Sequence, residues 1–590
     1  MLFLLCLLAP VSSAVMVEKS SLPWNLDSFP SSFEWGTATA AYQIEGAAFE
    51  GGRGPSIWDT FSHTKGKTHM GETGDIADDH YHRFREDVEL MSDLGLRYYR
   101  LSVSWTRLLP NGRTDYVNAE GVAFYKTLFQ LLKSKGITPL VTLFHWDLPQ
   151  TFEDEYEGWL SRKSIEDFAN FADFCFATFP EVSKWITFNE ALTFIGEGYT
   201  DGIFAPGRCA DRERCEKGDS VTEPFLAAHH VLLAHAAAVE KFKVRFPVKG
   251  DREIGMTNCG WMMWPLLKSD PKPAQDLMEG MWAWFADPVI LGDYPESIKV
   301  RAGANLPVFT EEEKRSLKNS IDFLGVNYYS SRYVATPDEE HNATLSASGV
   351  PMIDENFALT IFNKHGVPLG PQAGSDWLFV VPEGLRALLN WLDERYDGIK
   401  MRITENGCSQ PWWLDTTEAL ATNDTFRVDY FKGHIEAVGQ ALAVDDVNVV
   451  GYYAWSLLDN YEWADGYGRR FGIVYVDFPT QRRIPKLSAY WYAALVDASN
   501  QIDDVNNFIR QTPILQQGTT SFFAYLAPLV LVLGLAFGIV TKSQRSSSSS
   551  SESISLNQST RMKKMSVVLP PSTPRIPQRP RNSAAYQQIA

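Results

Sequence analysis

The sequence predicts an α/β fold: a (β/α)8 TIM barrel with long inserted loops, followed by a single C-terminal transmembrane helix. Three observations carry that expectation. Eight near-continuous apolar, strand-like runs lie at residues 33–40, 98–105, 138–146, 184–190, 253–260, 322–329, 400–405 and 449–457. Helical patterns separate them, and buried strands alternating with helices indicate a parallel barrel. Third, residues 522–541 are twenty residues without a charge.

Taken in order, residues 1–14 (MLFLLCLLAPVSSA) are a short apolar run ending in small residues. That pattern reads as a secretory signal cleaved near Ala14, although no basic residue precedes it. The barrel is expected over residues 25–500. Between its strands the helical period is visible: Tyr81, Phe84, Val88 and Met91 share one face, and the stretch 122–135 stops at Gly136. This span exceeds the roughly 250 residues of a plain barrel, so long loops must be inserted.

Residues 501–521 read as a linker of mixed polarity. At about 1.5 Å per residue, 522–541 is long enough to cross a hydrocarbon core of roughly 30 Å. Residues 542–590 read as a disordered basic tail, with serines at 546–551 and a Pro/Arg-rich stretch at 570–581. Lys542, Arg545, Arg561, Lys563 and Lys564 lie on this side and assign it to the cytosol. A lipid-anchor signal ends in its hydrophobic stretch, whereas 49 residues follow here, so a true membrane anchor is expected.

A hydrophobic content of 45% with 13% aromatic residues supports a large packed core. The eighteen Trp also permit stacking platforms for sugars. Net charge is −18, and the tail from Lys542 onward carries eight basic residues against Glu552 alone. The rest of the chain is therefore near −25, which excludes nucleic acid as the main partner.

Of six cysteines, Cys6 lies in the signal. Cys209 and Cys215 bracket the charged stretch ADRER and are expected to close a small disulfide loop in an oxidising lumen. Cys175, Cys259 and Cys408 read as buried free thiols. No C-x-x-C pair or His cluster points to a metal, and no cofactor is expected. The triplets Asn342-Ala343-Thr344 and Asn423-Asp424-Thr425 are candidate glycosylation sites.

In a parallel barrel the chemistry sits at the carboxyl ends of the strands. Gln43 and Glu45 follow run one, Arg100 lies in run two, and run three ends His145-Trp146-Asp147. Run four ends Asn189-Glu190, run six Asn327-Tyr328-Tyr329, and run seven Glu405-Asn406. Run eight carries Trp455, followed by Asp459-Asn460-Tyr461-Glu462-Trp463. Amides, imidazole, carboxylates and indoles at these positions suit a polyhydroxylated ring, with hydrogen bonds for its hydroxyls and aromatic faces for its C–H surface. Two rigidly held carboxyls facing each other are what glycosidic cleavage needs. Taken singly, each residue has a plainer role: His145 as a satisfied core histidine, Arg100 in any buried ion pair, Trp455 in packing, Glu462 as a solvated charge.

Seven blocks lift these residues above those roles. FEWGTATAAYQIEGA, YYRLSVSWTRLLP, TLFHWDLPQ, ITFNEA, DFLGVNYYSSRY, RITENG and WSLLDNYEWADGYGRRFG resemble, in order, the blocks of glycoside hydrolase family 1, the β-glucosidase family. APGRC and GDSVTEPFLAAHH resemble its plant-type and lactase-like branches. The resemblance implies a retaining β-glycosidase acting on terminal β-D-glycosides, with Glu190 as acid/base and Glu405 as nucleophile. It implies Gln43, His145, Asn189 and Glu462 as ligands of sugar hydroxyls, with Trp455 as the platform and Trp463 as the contact beyond it. Arg100 and Tyr329 match residues that touch the nucleophile, and Asn327 matches one that steadies the cluster. The chain departs from the family after the acid/base: Ala191 stands where proline is usual, losing a fixed φ in the loop that aims Glu190. Glu462, lying where phosphoglycoside-cleaving branches carry Ser and Lys, would repel a phosphate.

Two other readings share parts of this pattern. A klotho-like membrane co-receptor or carbohydrate-binding protein has the same fold and a single span but has lost catalytic glutamates, and both are present here. An endo-acting glycanase shares the N-E and E-N-G strings, but Gln43 and Glu462-Trp463 close the pocket around a terminal sugar. The expected topology is a single-pass type I membrane protein with a lumenal or extracellular catalytic domain, at the plasma membrane or an endosomal, lysosomal or vacuolar membrane. In the tail, Tyr586 to Ile589 fits the tyrosine signal read by clathrin adaptors, and a four-residue match of this kind arises easily by chance.

Overall fold

The computed structural model describes residues 22–337 and 357–511, with 502–511 described by their backbone alone. Eight parallel strands close a barrel. They are β1 (Glu34–Ala38), β2 (Tyr98–Ser102), β3 (Thr138–Phe144), β4 (Lys184–Asn189), β5 (Glu253–Cys259), β6 (Phe323–Asn327), β7 (Met401–Asn406) and β8 (Val449–Trp455). Each pairs with its sequence neighbours, and β8 closes on β1 with Ala38 opposite Trp455. All eight expected runs form strands, because residues buried on both faces must be apolar throughout. Several runs overshoot, since apolar residues past a strand's end pack in other conformations. Trp105–Leu108, for example, is a short helix capped by the Ser104 hydroxyl.

The helix expected at 122–135 spans Ala119–Ser134, and Gly136 beyond it takes φ +70°, which a glycine adopts without steric cost. A longer correction falls at the end of the chain's first compact unit, which closes at Asn500. The helix Leu487–Gln511 runs into the segment expected to be a linker. Residues 500–511 contain neither Pro nor Gly, and Ile502, Val505 and Ile509 recur at helical spacing. No helix among the described residues is long and apolar enough to cross a membrane. Residues 1–14, the span 522–541, the tail 542–590 with Tyr586 and Ile589, and Asn342 all lie outside the described residues.

The disulfide Cys209–Cys215 is formed, with Cα atoms 5.5 Å apart. Cys175 and Cys408 are buried free thiols as expected, but Cys259 is half-exposed, because it ends β5 at the barrel mouth. Asn423 is exposed just after the helix Glu418–Thr422.

The opposite end of the barrel is closed by charge. Arg402 of β7 donates from Nε and Nη2 to Glu34 of β1 at 2.8 Å each, and from Nη2 to Glu253 of β5 at 2.6 Å. Tyr453 donates to Glu34 at 2.7 Å, and Lys184 pairs with it as well. Burial alone would raise the Glu34 carboxyl; Arg402 and Lys184 outweigh it and hold it at about 2. With its folded value depressed below 4.5, this group's stabilisation is present above pH 4.5 and fades as pH falls towards 2. Truncating Arg402 leaves the buried Glu34 to Lys184 and Tyr453 and the half-buried Glu253 to Lys400, so Arg402→Ala is expected to lose about 3 kcal/mol of stability in urea unfolding at pH 7. Unchanged unfolding would show that the network contributes little.

Candidate active site

The polar mouth is built by strand register. Ala38 lies opposite Arg100, Asn189 opposite Thr257, Cys259 opposite Asn327, and Asn327 opposite Glu405. The pairing slips near Asn189 and near Glu405. Such irregularities re-aim side chains beside functional sites. Gln43, Arg100, His145, Asn189, Glu190, Asn327, Tyr329, Glu405, Trp455 and Trp463 are all buried, and Glu462 is half-buried.

Glu405 is held at both oxygens. Arg100 Nη1 binds Oε1 as an ion pair, and the Tyr329 hydroxyl donates to Oε2 at 2.5 Å. Asn406 next to it is fixed on three sides: its amide donates to Tyr328 O at 2.5 Å and to the Tyr430 hydroxyl at 3.0 Å, and its oxygen accepts from Tyr452 at 2.6 Å. The strand end that carries Glu405 is therefore rigid.

Glu190 takes φ +50° and ψ +61°, a left-handed conformation that costs a non-glycine residue of order 1–3 kcal/mol and recurs at functional sites. Its N–H donates to Thr257 O at 2.9 Å. Asn327 Nδ2 donates to its Oε1 at 2.5 Å, and the Thr193 hydroxyl to its Oε2 at 2.8 Å. Ala191 opens the helix Ala191–Ile195 at the place where proline would add only a fixed φ, since the first helical N–H has no intrahelical partner in either case. The grip on Glu190 thus comes from side chains. Burial and the nearby Glu405 charge raise its carboxyl from 4.5 to about 7, against the lowering effect of Asn327, Thr193 and Arg100.

Asn189 and Asn327 link the two carboxyls. Asn189 Oδ1 accepts from Arg100 Nη2 at 2.5 Å and from Asn327 Nδ2 at 3.1 Å, and Thr404 donates to Asn327 Oδ1 at 2.6 Å. These donors orient the Asn189 amide, so its Nδ2 donates to His145 Nε2 at 3.0 Å. Burial and the Arg100 charge push the His145 imidazole well below 6.5, which keeps it neutral. Its proton is then on Nδ1, which has no protein partner.

One wall of the mouth is a cluster of rings. Trp463 packs 4.4 Å from Trp146 and 4.7 Å from Trp58, and lies nearly parallel to Tyr42 at 6.1 Å. His145 stacks on Trp455 at 6.0 Å. Gln43 Nε2 donates to Asn460 Oδ1 and Tyr461 O at 3.0 Å and to Glu462 Oε2 at 3.3 Å, while Gln43 Oε1 has no protein partner. The structure therefore brings every expected site residue to one mouth. It adds three that the sequence reading missed: Thr193, which donates to Glu190, Cys259, which lies opposite Asn327 at the end of β5, and Trp377, which stands edge-on to Tyr329 at 5.8 Å.

A closed parallel barrel with two gripped carboxyls among sugar-compatible groups defines a two-carboxylate glycosidase. The model of glycosyl hydrolase family 1 matches residues 25–501. Beta-glucosidase 1 of Oryza sativa subsp. japonica is 43% identical over 477 residues, covering 80% of this chain and 90% of the rice protein. Raucaffricine-O-beta-D-glucosidase of Rauvolfia serpentina is 42% identical over 513 residues, covering 82% and 94%. Among solved structures, rice Os3BGlu6 beta-glucosidase aligns with a TM-score of 0.76 at 41% identity, covering 80% of this chain and 99% of that one. A family 1 β-glucosidase from the fungus Humicola insolens in complex with glucose aligns at 0.75 and 42%, covering 80% and 98%. The chain belongs to glycosyl hydrolase family 1. It is an O-glycosyl hydrolase of the retaining β-glucosidase kind.

Proposed function

We propose that the chain is a membrane-anchored β-glucosidase in which Glu405 is the nucleophile and Glu190 the acid/base. The observation that carries this reading is the asymmetric holding of the two carboxyls. Arg100 and Tyr329 bind Glu405, whereas burial raises Glu190 to about 7, so that it carries a proton below that pH. Because the Asn327 N–H at Oε1 can only donate, while the Thr193 hydroxyl at Oε2 can turn to accept, the proton of Glu190 belongs on Oε2. Glu405 attacks the anomeric carbon as the glycosidic C–O bond breaks, and the Oε2 proton passes to the departing oxygen. Glu190, now a carboxylate, then takes a proton from the water that displaces Glu405, and the sugar leaves with its β configuration restored. The rice Os3BGlu6 β-glucosidase, as a mutant, has been solved in a covalent complex with Glc, which is consistent with a covalent step here.

Gln43 Oε1 and His145 Nδ1 are buried without protein partners, and with Asn189 and Glu462 they would bind the hydroxyls of a neutral hexose over Trp455. Glucosides are expected first, with galactosides and fucosides as neighbours differing by one hydroxyl contact. Proton NMR of the first product from a β-glucoside should show the β-anomer. The α-anomer first, or a preference for 6-phosphoglycosides, would contradict this reading.

The signal at 1–14, the span at 522–541 and the basic flank support a type I topology, with the barrel lumenal or extracellular and Asn342 and Asn423 glycosylated. Proteolysis of sealed vesicles should remove the tail and spare the glycosidase, and the reverse pattern would overturn the orientation. In the same cells Tyr586→Ala should shift the protein from endosomal or lysosomal membranes to the surface if clathrin adaptors read Tyr586 to Ile589. An unchanged distribution would remove that contact.

A further inference from the structure

The segment 456–463 that follows β8 fixes the orientation of Gln43. Gln43 Nε2 donates to Asn460 Oδ1 and Tyr461 O at 3.0 Å, and the Tyr461 N–H returns a bond to Gln43 O at 3.1 Å. With Glu462 Oε2 as a third acceptor at 3.3 Å, the amide nitrogen is fully occupied and Gln43 Oε1 is left without a protein partner. The segment has one buried charged anchor, Asp459, directly before Asn460. Asp459 Oδ1 accepts from Lys486 Nζ at 2.6 Å and from Gly472 N at 3.0 Å, and its Oδ2 accepts from Arg470 Nη1 at 2.8 Å. Gly472 is needed there, since a Cβ would come 2.0 Å from Asp459 N. Lys486 follows the antiparallel pair Val474–Asp477 and Arg482–Pro485 and opens the way into the helix Leu487–Gln511. Its side chain and that of Asp459 are both completely buried. A lysine is almost never fully buried unless it is paired.

We propose that Lys486 is a positioning residue for sugar binding: its cation fixes Asp459, and Asp459 sets the segment that presents Asn460, Tyr461 and Glu462 to Gln43. This rests on Gln43 and Glu462 binding the sugar. Both partners carry their charge. Burial alone would raise the Asp459 carboxyl, but Lys486, Arg470 and Arg427 outweigh it and hold it below 3.8. Burial and the Arg427 charge press the Lys486 ammonium down to about 8, against Asp459 and Asp424, so near pH 6 it stays protonated. Without that ammonium, Asp459 would be a buried carboxylate held by Arg470 and one N–H. A small shift of the segment would then release the Gln43 amide from its three acceptors and turn Oε1 away from the sugar.

The test is a double-mutant cycle on kcat/KM for 4-nitrophenyl β-D-glucoside near pH 6, using the full chain, Lys486→Met, Gln43→Ala and the two combined. Active enzyme is counted by titration with a 2-deoxy-2-fluoroglucoside, so misfolded protein does not enter the comparison. Lys486→Met should lower kcat/KM about tenfold, mainly through KM. In the Gln43→Ala chain the same change should cost about twofold or less, because the segment then has no amide to orient. Lys486→Met strands a buried carboxylate, so if it does not fold, Asp459→Asn combined with Lys486→Met carries the same cycle. Equal losses with and without Gln43 would mean that Lys486 only stabilises the fold, and the positioning role would be wrong. If Gln43→Ala alone leaves kcat/KM intact, the sugar-binding reading of Gln43 fails, and the role of Lys486 with it.

Discussion

Glu405→Ala is expected to lose roughly 10⁴-fold or more of its turnover, or at least about 5 kcal/mol of transition-state stabilisation. The Arg100 guanidinium and the Tyr329 hydroxyl would remain but would face no carboxylate. Added azide or formate should recover part of the rate by entering the space of the lost side chain. Azide would then attack the anomeric carbon directly, once, so a β-glucoside should yield the α-glycosyl azide. Activity close to that of the parent chain, or rescue giving the β-azide, would show that Glu405 is not the nucleophile.

Glu190→Ala should produce the second largest loss, and its size should depend on the substrate. General acid help is typically worth about 10²–10⁴-fold, and it matters least when the leaving group departs unaided. Phenyl glucosides should therefore lose close to that full range, while the glycosylation step on 2,4-dinitrophenyl glucosides changes little. Without a base for the second step, the covalent intermediate should accumulate on the activated substrate. Azide needs no base, so it should speed turnover and give the β-glycosyl azide after two displacements. The opposite stereochemistry of the two azide products separates the roles of the two glutamates in one pair of assays. Equal losses on both substrates would remove Glu190 as the acid/base.

Much of this was legible in the chain because the constraints are local. A strand buried on both faces must be apolar along its length, so all eight runs could be read. Their ends could not, since residues such as Trp105 are equally apolar in the short helix that follows β2. The polar residues at strand ends were legible because a buried barrel mouth has no structural use for such a set. Cys259 was missed because a thiol in an apolar run looks like packing; applying the strand-end rule to β5 as to its neighbours would have found it. Thr193 carried a weaker signal, three residues past Glu190 and so within reach across the first helical turn. Trp377 carried none. It lies in the long segment between β6 and the helix Pro382–Arg395, and only the folded loop brings it against Tyr329. The helix through Gln511 was hidden by its mixed polarity, although the absence of Pro and Gly left helix open.

The central claim is a covalent bond between the sugar and Glu405. It can be measured with 2-deoxy-2-fluoro-β-D-glucosyl fluoride: the ring fluorine slows both steps by destabilising the oxocarbenium-like transition states, while the fluoride leaving group keeps the first step fast enough to trap the intermediate. Mass spectrometry of the proteolysed enzyme should find one fluoroglucosyl group, on the peptide containing Ile403, Thr404 and Glu405, with the modification on Glu405. An active enzyme that forms no adduct, or carries it on another residue, would contradict the account.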